Sequence, residues 1–224
     1  MALSRGSSAT IPAMDGFAAG FGLGLGSGLA PGPLLVLALA VTLRRGRGPG
    51  LQVAIAPLLS DLMIIAIALT VVSQLPAAVM TWLGIVGGLV IVFFAWETWR
   101  ASQTTSPESL IHDTSAASPR DGRPAWVQGF LVNLLNPAPW IFWTTAGSAL
   151  LLAEWDSSPA HAIIFMVGFY LALVGSKVAM VLALSSQRHR FSSRVYRIVL
   201  IVAAIVLLII GAGFLIRGVS AVLG

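Results

Sequence analysis

Two groups in this chain are placed to do chemistry, and both lie inside apolar runs. Asp61, after Ser60, and Lys177, after Ser176, are the only charges in long stretches of aliphatic and small residues. A carboxylate or ammonium at the centre of a membrane helix costs about 2.5–3.5 kcal/mol on insertion scales, so such residues mark ion or substrate pathways, or pair with one another. Asp61 can bind a proton, a coupling ion or a substrate ammonium. Lys177 can compensate that charge or hold a carboxylate. The competing reading is an Asp61–Lys177 bridge that only ties two parts of the fold together.

The second group is backbone. Ala30-Pro31-Gly32-Pro33 and Asn136-Pro137-Ala138-Pro139 each put two prolines two residues apart within hydrophobic sequence. Proline removes a helical hydrogen bond, and hydrocarbon offers no partner for the carbonyls and amides set free. Helix N-termini hold carboxylates and C-terminal carbonyls hold cations, so a pair of breaks suits a zwitterion. Kinks that only shape packing are the plainer alternative. Asn136 adds a side-chain donor and acceptor. The candidate pathway residues are Pro31, Gly32, Pro33, Asp61, Asn136, Pro137, Pro139 and Lys177.

Other chemistry is thinly supplied. The chain has no cysteine and three scattered histidines, His112, His161 and His189, so no thiol relay or metal cluster is expected. No base, nucleophile and donor set clusters for catalysis. Neither an enzyme nor a resident cofactor is expected.

The elements that must position these groups are membrane helices. The chain is 57% hydrophobic and 9% charged, with a mean hydropathy of +0.92, which a soluble surface does not tolerate. Apolar runs of about twenty residues predict six spans, at 17–43, 51–74, 77–99, 126–152, 159–185 and 195–220. Residues 1–16 form a polar N-terminal segment without a cleavable signal. The Ser-, Thr- and Pro-rich 100–125 is a linker between two three-helix halves, 17–99 and 126–220.

Arginines set the orientation. Arg44, Arg45, Arg47, Arg100, Arg120, Arg123, Arg188, Arg190, Arg194 and Arg197 fall in or beside alternate connections, against Arg5 and Arg217 on the other side. The positive-inside rule makes the ten cytoplasmic and both termini outward-facing. The net charge of +5 therefore speaks for headgroups and topology, not nucleic acid.

An odd number of spans per half inverts the second half relative to the first, and the matched proline breaks point to an inverted repeat. Pro33, Asp61, Asn136 and Lys177 lie eight to ten residues from the cytoplasmic ends of their spans, all roughly 12–15 Å deep. Gly20, Gly24 and Gly28, with Gly84, Gly87, Gly88, Gly211 and Gly213, read as close-packing positions. Glu97 reads as interfacial, and Trp140 and Trp143 as lining either a cavity or lipid.

These residues resemble a known family. Pro31-Gly32-Pro33, then Arg45-Gly46 and Ser60-Asp61, look like the first half of the LysE/RhtB amino-acid exporters. Gly129-Phe130-Leu131-Val132-Asn133-Leu134-Leu135-Asn136-Pro137 resembles the motif that opens their second half. Where many members carry lysine after the second Asn-Pro, this chain has Ala138. The resemblance implies secondary export of a small metabolite, an amino acid or derivative, across the bacterial inner membrane. It also implies proton coupling, with two repeats rocking around a midplane site. A non-coupled channel and a non-transporting envelope scaffold are the alternatives, and the glycine stripes make a homodimer plausible.

Overall fold

In a computed structural model, residues 13–105, 122–186 and 193–223 are described. Most of the N-terminal segment and of the 100–125 linker lies outside them, as do Arg5, Arg120, Arg188, Arg190, His112 and His189. Among the described residues every regular element is helical. In chain order these are α1 (Ala13–Leu29), α2 (Pro33–Arg45), α3 (Arg47–Ala54), α4 (Pro57–Val72), α5 (Ala77–Thr104), α6 (Ala125–Leu135) and α7 (Pro137–Phe142). A π-helical turn, Trp143–Gly147, then leads into α8 (Ser148–Ser157), α9 (Pro159–Ser185) and α10 (Ser193–Leu223).

Among the described residues, four helical stretches are long and apolar enough to cross a membrane: Arg47–Val72, Trp82–Thr104, Pro159–Ser185 and Tyr196–Ser220. The pair Gly16–Leu29 and Pro33–Arg45, bent by 60°, makes a fifth if it is one span. The run 126–152 is not one rod. It divides into α6, α7, the π turn and α8, because Asn136 is extended at φ −75° and ψ 125° and because prolines at 137 and 139 cannot donate to the preceding turn.

Packing follows the small residues. Gly20, Gly24 and Gly28 on α1 face the α9 backbone at Phe165, Phe169 and Leu173, so closely that a methyl group would overlap it. Helix α5 packs along α10, where Gly88 and Gly211 permit close approach, and Gly87 lets the same helix close on Ala146 of the π turn. Gly84 and Gly213 differ from the expectation: open space surrounds both, because they sit on the same helices but on other faces. Helices α3 and α4 pack on α6, and α4 also packs on the π turn. Large apolar side chains such as Leu62, Ile67, Phe93, Val167 and Ile209 are exposed along the outer faces, as a bilayer-facing surface requires.

The arginine-bearing ends are tied together. Arg45 Nη1 donates to the Arg123 carbonyl at 3.2 Å, and Arg197 Nη2 donates to Gln103 Oε1 at 2.8 Å.

Candidate functional site: a cavity between two broken helices

The first break leaves carbonyls at the end of α1, and side chains from the second half meet them. Lys177 Nζ donates to the Gly28 carbonyl at 2.9 Å and to that of Ser27 at 3.3 Å. The Tyr196 hydroxyl donates to the Leu29 carbonyl at 3.2 Å. A cation here meets the negative end of the helix dipole, which offsets part of its burial cost.

Across the break, α2 starts at Pro33 without a side-chain cap. The amides of Leu34 and Leu35, two residues that line the cavity, therefore have no intrahelical partner.

The second break is more fully satisfied. Trp140 Nε1 donates to the Leu134 carbonyl at 2.7 Å, and Asn136 Oδ1 accepts from the Ala138 amide at 3.1 Å. Pro137 and Pro139 carry no N–H at all. Among the described residues, no buried side-chain nitrogen or oxygen lacks a partner.

Asp61 is buried at 3% exposure and held by its own set of donors. Asn133 Nδ2 lies 2.6 Å from Oδ1 and also 2.8 Å from the Ser60 hydroxyl. The Tyr170 hydroxyl donates to Oδ2 at 3.3 Å. Asp61 and Lys177 thus do not meet as a direct ion pair. Each is satisfied by neutral partners, and they act on one another through space.

Both charges line one cavity of about 240 Å³, a size for a small metabolite. Pro31, Gly32, Pro33, Asn136 and Pro139 line it too. Pro137 does not; it sits at the start of α7 and is exposed. Ser27, Thr98 and Asn133 add polar groups to the wall, and Phe94, Phe142, Trp143, Phe169 and Leu173 supply an apolar and aromatic part.

Glu97, exposed beside Trp96 and Arg100 near the end of α5, also lines the cavity. Trp143 is buried on the cavity wall, whereas Trp140 serves the break. Asn133 and Tyr170 were not singled out by sequence reasoning as site residues. The available signal was an amide and a phenol within apolar runs, groups that need partners when buried.

A sequence model described as LysE type translocator matches residues 27–218. No curated protein and no solved structure matches the chain.

Proposed function

Because the chain belongs to the LysE type translocator family, a family of membrane exporters, we propose that it exports an amino acid or amino-acid derivative across the bacterial inner membrane, driven by protons. The observation that carries the reading is the convergence of two broken helices and two buried charges on one small cavity. In this reading Asp61 binds the substrate ammonium or the coupling proton. The free amides of Leu34 and Leu35 receive the substrate carboxylate. Lys177 already occupies the carbonyl end of α1, so it neutralises that end and compensates Asp61 without contacting it.

The same reading makes the two halves inverted repeats of three spans each, with both termini outward. The helix contacts support it. If the first span corresponds to the fourth, the second to the fifth and the third to the sixth, then α1 on α9 maps onto the α6–α8 run on α4. The α5–α10 pair maps onto itself. The contacts joining Arg45 to Arg123 and Arg197 to Gln103 agree with one shared arginine-rich side.

A proteoliposome loaded with mixed amino acids and given a pH gradient tests the proposal. The expected result is loss of one compound, abolished by a protonophore. Loss that ignores the protonophore would make the protein a non-coupled channel, and retention of every amino acid would remove the substrate class.

A further inference from the structure

The cavity lies toward the arginine-bearing ends of its helices. Its lining residues Pro57, Asp61, Phe94, Glu97 and Thr98 belong to the halves of α4 and α5 nearer Arg47 and Arg100. On the other side the walls meet in a stack of aromatic rings. Phe142 and Phe169 are parallel with centroids 5.4 Å apart. Trp143 meets Phe169 edge-on at 5.3 Å, and Phe165 extends the stack at 6.4 Å. Trp143 heads the π-helical turn, and a methyl group on Gly147 would lie 2.6 Å from its ring. The rings therefore rest directly on a backbone segment of altered hydrogen-bond register, a feature that concentrates at functional sites.

Tyr170 links the stack to the cavity through Asp61. Its ring meets Phe169 edge-on at 5.3 Å, and its hydroxyl donates to Asp61 at the cavity. The same residue also borders a second, wholly apolar groove with Leu69, Leu151, Trp155 and Met166, open to the bilayer-facing surface on which Trp155, Ile163 and Val167 are exposed.

We propose that this aromatic stack is the plug that closes the cavity on the side away from the arginines, and that Tyr170 is the positioning residue that latches it to Asp61. The inference rests on the export reading and adds its gate. A proton or an ammonium arriving at Asp61 competes for the oxygen that Tyr170 uses. Occupancy of the site thereby loosens the ring, and the apolar groove that Tyr170 borders offers space into which the ring can turn.

The native chain has no cysteine, so a single Ala138→Cys reporter on the cavity wall reads accessibility directly. In sealed vesicles of known orientation, a membrane-impermeant thiol reagent is expected to label it from the arginine-bearing face and slowly from the opposite face. Tyr170→Phe should speed opposite-face labelling about tenfold, the population change that loss of one hydrogen bond to a charged group permits. Phe169→Leu, which thins the stack and keeps the hydroxyl, should speed it as well. Tyr196→Phe removes a buried hydroxyl on the arginine side and should leave it unchanged.

Opposite-face labelling indifferent to Tyr170→Phe and Phe169→Leu, or raised equally by Tyr196→Phe, overturns the plug. Efflux measured in the same vesicles separates the two ideas. Tyr170-dependent labelling without efflux keeps the plug and removes the export reading, whereas efflux with indifferent labelling does the reverse.

Discussion

Asn133 joins the buried acid to the rest of its helix pair, because one amide nitrogen serves both Ser60 and Asp61. Replacing it with leucine keeps the volume and removes the donor, leaving the carboxylate short of a partner where water is scarce. Asn133→Leu is expected to cost about 1–3 kcal/mol of stability, the penalty for an unsatisfied buried acceptor, read as a lower melting temperature in detergent. An unchanged melting point would mean that water takes over the contact. Asp61 and Lys177 were legible in the sequence because an isolated charge in an apolar run has few explanations. Their partners were not, since pairing Asp61 with Asn133 or Lys177 with Gly28 depends on how distant segments dock.

Elements show a similar division between what spacing specifies and what docking decides. Proline spacing placed both breaks, and the four-residue glycine period on α1 marked the face that α9 covers. Spacing does not say which face of a helix has a neighbour, so Gly84 and Gly213 resembled packing positions yet meet nothing. The π-helical turn was equally silent, since a shift of backbone hydrogen-bond register leaves no residue pattern of its own. Gly24→Ala, which drives a methyl into the Phe169 carbonyl, should destabilise by about 1–3 kcal/mol through overpacking. Gly84→Ala has open space around it and should be neutral or slightly stabilising. Thermal unfolding of the two variants side by side checks the α1–α9 interface. Equal melting points would mean that those helices do not pack as closely as described.

At the scale of the molecule, the arginine pattern, the pairing of helices and the offset cavity describe one object: a membrane protein whose cavity lies toward its arginine-bearing helix ends. Single cysteines test that orientation. In right-side-out vesicles Ser73→Cys, in the turn between α4 and α5, should react with an impermeant reagent, while Thr105→Cys, at the far end of α5, should react only after permeabilisation. The reverse pattern would turn the molecule over.

The central claim is that the cavity around Asp61 is the path of transport, and gradient-driven efflux from proteoliposomes carrying the native chain or Asp61→Asn tests it most directly. The substitution keeps size and one acceptor for Asn133 and removes the charge, while its amide nitrogen can only donate toward the Tyr170 oxygen that now donates to Asp61. The account predicts equal incorporation and similar melting behaviour, with efflux reduced to background. Undiminished efflux from well-folded Asp61→Asn would contradict it and leave Asp61 as a structural anchor between the halves.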